Sequence, residues 1–350
     1  MSVLNKNGQN REANVSDIVA AHHSGTAARP ALRAGPLVRG FKTYRTEIAI
    51  AVAIILIEVV VSLWIPQALS LGNVANVAQA AAPLVIMSLG VLLVVITGGI
   101  DLSVGSIFSL TGMVTGLAMS SGGMDWPAAC LLGLGVGLAV GAVNGALVTF
   151  VGLAPFVVTL ITYAVAGSLS FVITNGQSIA ILNGDFWLLN SGSIVPGIVN
   201  YLFYSIVFIA IAELALRRLV LGRWVYAVGS NDRAARLLGI PVNGVRFSVY
   251  VFSGLLASFS SLISLSYISN AETTAGANLM LQAIAACVIG GASLFGGTGS
   301  AIGAMLGAVM ITVIQNGVNL IGINSFWQGS VTGLVILVAV LVDRVAKVRS

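Results

Sequence analysis

From Ile48 onward the chain is a series of long apolar runs separated by short polar or glycine-rich breaks. About twenty apolar residues at 1.5 Å each suffice for a helix to cross a hydrocarbon core about 30 Å thick. The pattern predicts ten such helices, at 48–65, 74–97, 103–120, 127–150, 154–174, 201–216, 247–269, 279–290, 299–321 and 326–342. The run 279–290 is short for a crossing and ends at Gly290-Gly291, so it reads either as a span or as a half-helix that turns back. The polar stretch 175–200 is the longest break on the outer side, with a short interfacial helix expected around Trp187. The predicted fold class is an all-α polytopic membrane protein of about ten transmembrane helices, with an internal duplication and broken or re-entrant helices.

Composition and charge give this pattern a direction. Only 8% of residues are charged and 57% are hydrophobic, against roughly 25% charged in a soluble domain. Of the sixteen Lys and Arg residues, seven precede Glu47, six lie from Arg217 to Arg246, and Arg344, Lys347 and Arg349 follow the last run. Basic residues are retained on the cytoplasmic side of short loops. Six predicted spans precede the central cluster and four follow it, and both numbers are even, so all three clusters fall on one side. The expectation is a multi-pass protein of the bacterial inner membrane with both termini cytoplasmic. Residues 1–46 form a flexible tail, 47–345 the transmembrane domain, and 346–350 a cytoplasmic C-terminus.

Several chemistries are excluded by what is missing. The lysines are Lys6, Lys42 and Lys347, and none belongs to a phosphate-binding GxxxxGK[ST] loop. His22 and His23 both lie in the tail, which leaves no His-based catalytic set, and Cys130 and Cys287 sit in separate apolar runs. No catalytic, cofactor-binding or metal-binding residue is expected, so the energy for any pumping comes from a partner or an ion gradient.

Two stretches resemble each other: "GGIDLSVGS" at 98–106 and "GGASLFGGTGS" at 290–300. Matching them puts Gly98 on Gly290, Gly99 on Gly291 and Asp101 on Ser293. Glycines spaced by four accompany each copy (Gly137, Gly141 and Gly145; Gly299, Gly303 and Gly307), as do the steps Asn144-Gly145 and Asn316-Gly317. Small residues at that spacing let helix backbones approach closely, and duplication with broken helices is a transporter habit. The copies are parallel if 279–290 spans and can be inverted if it does not. An intramembrane carboxylate is costly, so Asp101 needs a role. Asp and Ser share the ability to accept a hydrogen bond from an orphan N–H at a helix start, which favours capping by Asp101, Ser103 and Ser293. Solute or cation binding, or an interhelical hydrogen bond, are the other roles open to Asp101. Glu58 is expected to pair with a neighbouring helix or to stay neutral, and Glu213 to pair with Arg217 or Arg218 one turn on.

The segment from Leu221 to Arg246, "LGRWVYAVGSNDRAARLLGIPVNGVR", reads as a turn at Gly222, a short helix from about Asp232 to Leu238, and terminators at Gly239 and Pro241. Its part 222–242 resembles the coupling segment of bacterial ABC-importer permeases of the monosaccharide branch (ribose, xylose and galactose type). "TGGIDLSVGS" (97–106), "GAVNGALV" (141–148) and "PFVVTL" (155–160) are similar to further stretches of that family, in the same order. The resemblance covers residues 47 to 345. It implies a ten-span permease subunit working with a second permease copy or paralogue, a cytoplasmic ATPase with two nucleotide-binding domains and a periplasmic solute-binding protein. It also implies that Tyr226, Gly229, Asn231, Arg233, Ala234, Ala235, Arg236 and Gly239 form the coupling helix that meets the ATPase. One departure is plain: relatives carry an Arg before Gly-Leu-Ala after "PFVVTL", whereas this chain has Ala166, Gly167 and Ser168. For a sugar or similar polyhydroxylated solute, the amides and hydroxyl of Asn73, Asn76, Gln79, Asn144, Thr159, Asn316 and Asn319 are candidate pathway groups. The alternative is an ion-coupled secondary transporter that uses Asp101 or Glu58.

Overall fold

A computed structural model describes residues 45–182 and 184–324, together with 327, 329, 330, 333, 334 and 337. Nearly all of the expected tail 1–46, most of the tenth span 326–342 and the segment 346–350 lie outside the described residues. Among the described residues there are twelve α-helices: α1 (Arg45–Trp64), α2 (Leu71–Ile96), α3 (Val104–Ser120), α4 (Trp126–Ala146), α5 (Pro155–Val172), α6 (Leu188–Ser191), α7 (Asn200–Arg218), α8 (Val220–Ser230), α9 (Asp232–Leu237), α10 (Val242–Ile268), α11 (Ala275–Ile289) and α12 (Ala301–Leu320). A π turn, Leu147–Val151, extends α4. Strands β1 (Ile179–Ala180) and β2 (Asn270–Ala271) form one short antiparallel pair, with Ile179 opposite Ala271. Seven helices are long and apolar enough to cross a membrane (α1, α2, α4 with its π turn, α5, α7, α10 and α12), and α3 and α11 are shorter apolar helices.

The centre is built on α2 and α10. The Ser260 hydroxyl donates to the Pro83 carbonyl at 2.6 Å, and seven residues earlier Ser253 lies against Gly90. Rising numbers on one helix meet falling numbers on the other, so the pair is antiparallel. Gly137, Gly141 and Gly145 bring the α4 backbone against the α10 backbone at Gly254, Tyr250 and Phe247, the close approach that small residues permit. On the other side, Gly303 and Gly307 of α12 pack on Gly290 and Ala286 around the end of α11. Gly299 precedes α12 rather than belonging to it. Cys130 and Cys287 are buried and unpaired, as small apolar side chains.

Helix lengths reveal the duplication. The triplet α2–α3–α4 has 26, 17 and 21 residues, and α10–α11–α12 has 27, 15 and 20. In each triplet a long helix ends in a left-handed residue, Gly98 or Ser269, and an irregular segment (97–103 or 269–274) leads to a helix too short to cross by itself. The first turns of α3 and α11 cross one another. A Cβ on Gly105 would collide with Gly276 and Met280, and one on Gly276 with Gly105, while the Ser109 hydroxyl accepts the Gly276 N–H at 3.0 Å. With α2 and α10 antiparallel, the triplets are inverted copies, and α3 and α11 are half-helices whose starts meet inside the bundle.

This arrangement corrects the register expected from the glycine pairs. Both α2 and α11 end in paired reverse bonds: Gly98 N to Val95 O and Gly99 N to Val94 O in one, Gly291 N to Val288 O and Ala292 N to Cys287 O in the other. The residue just past such an end adopts positive φ, and it is Gly98 (φ 78°) in the first case and Gly291 (φ 87°) in the second. As a helix ending Gly98 is therefore like Gly291, not Gly290, but within the inverted triplets its counterpart is Ser269 after α10, so the two glycine stretches are not equivalent positions of the repeat and Ser293 does not stand opposite Asp101. A second correction concerns Gly222, expected in a turn. It lies inside α8, buried, where a Cβ would collide with the Ala215 and Leu216 carbonyls.

Candidate functional site

Three backbones meet where α8 ends. A Cβ at Gly229 would overlap the Ile96 carbonyl oxygen and come within 2.7 Å of the Gly297 N–H. The Gly297 N–H itself donates to Ile96 O at 2.9 Å, and Gly296 packs against Gly229 and Gly98. The two glycine-rich breaks that look alike in sequence thus touch each other, with α8 wedged against both. The Tyr226 hydroxyl extends the joint by donating to the Gly299 carbonyl at 2.6 Å. Burial pushes its pKa above the usual phenol range, the Glu213 carboxylate adds to that and Arg217 opposes it, so the hydroxyl stays a donor at physiological pH.

The start of α12 is fixed at the same place. The Ser300 hydroxyl accepts the Gly303 N–H at 3.0 Å and donates to Glu47 at 2.9 Å. Glu213, paired with Arg217 as expected, also accepts the Ala301 and Ile302 N–H groups at 3.1 and 3.4 Å. A carboxylate there satisfies orphan donors and complements the helix dipole. Ser300, Glu47 and the second role of Glu213 were not read from the sequence. The start of α12 near residue 299 was the signal that could have pointed to a capping Ser.

From this joint α9 projects outward. The Asn231 side chain caps it by accepting the Ala234 N–H at 3.0 Å. Ala235 is buried, Gly239 ends the helix with φ 75°, and Arg233, Ala234 and Arg236 are exposed. Leu237 and Leu238, absent from the expected set, are 90% and 79% exposed. Two bare leucines beside two arginines form a compact apolar and basic surface.

Asp101 lies above the joint, 1% exposed. One of its oxygens accepts the Ser103 N–H at 2.9 Å and the Ser103 hydroxyl at 2.5 Å, and the other accepts the Ser253 hydroxyl of α10 at 2.8 Å. Ser103 in turn accepts from the Asn144 amide at 2.8 Å, and Asn144 accepts the Thr162 hydroxyl at 2.5 Å. Thr159 donates to the Ile100 carbonyl at 3.0 Å. This polar chain ties the 97–103 segment to α4, α5 and α10. The expected cap takes a different form: Ser103 occupies the capping position of α3 without a side-chain cap, and Asp101 holds the turn leading into it. Ser293 makes the weaker local version, accepting the Phe295 N–H at 3.3 Å.

The expected pathway groups are dispersed. Asn73 and Asn316 form a reciprocal amide pair at 3.0 and 3.1 Å, Gln79 donates to Asn190 at 2.8 Å, and Asn144 and Thr159 are buried in the Asp101 network. Asn76 and Asn319 are exposed. None of the seven lines the cavity of about 450 Å³ beside the crossing of α3 and α11, whose polar walls are Ser106, Ser109, Tyr163, Ser168, Thr273 and Thr274. On α5, Gly167 and Ser168 belong to one wall of that cavity.

The comparisons with known proteins fit this architecture. Residues 73–340 match the family described as "Branched-chain amino acid transport system / permease component". The chain is 69% identical over 306 residues to a probable ABC transporter permease protein, y4mJ, of Sinorhizobium fredii, covering 87% of this chain and 91% of that one. It is 38% identical to the ribose import permease protein RbsC of Escherichia coli K12 (86% and 95% covered) and 34% identical to that strain's D-allose transport system permease protein AlsC (79% and 84%). No solved structure matches the chain. On the family match and these identities, the chain belongs to the family of ABC-importer permease components.

Proposed function

We propose that this chain carries a sugar or a similar small polyhydroxylated solute across the bacterial inner membrane, as the permease subunit of an ATP-driven importer. The observation that carries the reading is its likeness over most of its length to permeases named for ribose and allose. The hydroxyl-lined cavity of about 450 Å³ between α3, α5 and α11 suits such a solute better than a cation or an acid, because no charged side chain lines it. That cavity, rather than the seven amide and hydroxyl groups expected from the sequence, is the proposed passage. The ion-coupled alternative is disfavoured by the kinship and by Asp101, whose two oxygens are already taken by Ser103 and Ser253.

The proposed partners are a cytoplasmic ATPase with two nucleotide-binding domains, a periplasmic solute-binding protein, a second permease copy or paralogue, and membrane lipid. The segment Tyr226–Gly239 is the proposed ATPase contact, which places the basic loop and both termini in the cytoplasm. Support comes from the exposed Arg233, Leu237 and Leu238 on α9 and from Gly229 at the joint. Movement of α9 by the ATPase would pass through α8 to both breaks at once and tilt the inverted triplets against each other. α5 also exposes Leu160, Ile161, Val165 and Leu169, an apolar face suited to lipid or a second copy. The test is uptake of labelled ribose by proteoliposomes holding the chain, its ATPase and its binding protein. Uptake should require internal ATP and ignore a protonophore, and Arg233→Glu combined with Leu237→Asp should abolish ATPase co-purification. Protonophore-sensitive uptake without ATP would overturn the reading.

A further inference from the structure

A second cavity, of about 390 Å³, lies at the basic end of the bundle, outside the joint and the solute cavity. Its walls come from the Thr97–Gly99 turn, the π turn after α4, the start of α5, and the residues Arg236, Asn243, Arg246 and Tyr250. The size is within the range of small-ligand sites.

Two hydroxyls in its wall have no partner. The Tyr250 hydroxyl, on a side chain 1% exposed, and the Thr149 hydroxyl are both buried without a hydrogen bond. Orphaned buried hydroxyls cost free energy and are uncommon, and these two belong to residues of one cavity wall, where a polar occupant within reach would give both a partner. The charge of that occupant follows from the arginines. Arg236 contacts only a neutral amide among the hydrogen bonds on its guanidinium, Asn243 at 2.9 Å. Arg246 shares the half-exposed Asp232 at 3.4 Å, a long and weak pairing. Two guanidinium groups and no carboxylate line the cavity. Asp101, the nearest buried carboxylate, does not line it and is saturated by Ser103 and Ser253.

We propose that this cavity binds a phosphate ester, with Arg236 and Arg246 holding the phosphate oxygens and the Tyr250 and Thr149 hydroxyls completing the shell. Arginine suits phosphate oxygens because its planar fork presents paired donors. The ester can come from a free metabolite or from an anionic phospholipid headgroup, the second favoured by the exposed Phe150, Val151 and Phe156 around the π turn and the α5 start. An occupant would tie α9, through Arg236, to the Thr97–Gly99 turn, so its presence would bear on coupling. The site is separate from the solute cavity, and its test involves no transport.

The test uses the purified permease chain and two probes. Thermal unfolding is followed with inorganic phosphate against chloride at equal ionic strength, and phosphatidylglycerol retention is measured by native mass spectrometry after release from mixed nanodiscs. Phosphate should bind about tenfold more weakly to the Arg236→Gln/Arg246→Gln double variant and about threefold more weakly to Tyr250→Phe. A phosphate-specific shift weakened in both variants assigns a free ester, and phosphatidylglycerol retention weakened in both assigns a headgroup. Tyr250→Phe keeps the ring and tests the site even if the double variant misfolds. Equal responses of the wild type and Tyr250→Phe to both probes would overturn the proposal.

Discussion

The segments 97–103 and 290–300 share a glycine pair and a similar string of residues, yet the structure uses them differently. The first runs into the bundle, buries Asp101 and opens a half-helix. The second stays at the joint, leaves Phe295 93% exposed, and is held by backbone contacts to Ile96, Gly98 and Gly229. What they share is a helix ending. Both α2 and α11 terminate in paired reverse hydrogen bonds with glycine at the left-handed position. What sets them apart is the polar side chain after it, a fully engaged carboxylate in one case and a half-exposed hydroxyl in the other. A shared motif here marks shared chain-ending chemistry, not a shared role.

The sharpest way to break this comparison is to delete each side chain. Asp101→Ala strands the Ser253 hydroxyl and the Ser103 N–H in the interior, and should destabilise the fold by about 2–4 kcal/mol. Ser293→Ala should cost under about 0.5 kcal/mol. Unfolding by denaturing detergent in mixed micelles would compare them, and equal losses would dissolve the distinction. Next in size, Gly98→Ala and Gly291→Ala should each cost about 1–2 kcal/mol, since both occupy positive φ. Similar values would support the shared helix-ending geometry, and Gly290→Ala then needs a separate explanation, because its own cost would come from crowding Gly303. The mildest change at the carboxylate itself is Asp101→Asn, which keeps one acceptor for the Ser103 N–H and lets the serine hydroxyls reorient. It should cost about 1 kcal/mol and leave substantial solute uptake. Complete loss of uptake by a stably folded Asp101→Asn protein would restore a coupling role to the carboxylate.

The spans were legible because apolar runs of twenty residues have few other readings, and the shortness of α11 was visible in 279–290. That α3 is also a half-helix was not legible. Its run is 17 residues long, and only the inward path of 97–103 shows how deep it starts. The mismatch of the two glycine pairs has an equally physical source: a left-handed glycine suits the end of any helix, so a similar string after α2 and after α11 does not mark equivalent positions of the repeat. Gly222 was misread because a glycine required by close packing against α7 looks the same in sequence as one required by a turn. The start of α9 near Asp232 and its stop at Gly239 were legible, since helix-ending chemistry is local. The partners of Asn73, Asn144 and Gln79 were not, because each lies on a helix distant in sequence.

The central claim is that α8 transmits motion by sitting against both breaks at Gly229. Its most direct test is Gly229→Val in proteoliposomes with the ATPase and the binding protein, reading ATP hydrolysis and solute uptake in the same preparation. The branched side chain has no room against Ile96 and Gly297, so the joint must separate while the exposed face of α9 remains. The account predicts continued ATP hydrolysis with uptake reduced at least tenfold. Uptake per ATP equal to that of the wild type, with the valine protein folded and assembled, would contradict it.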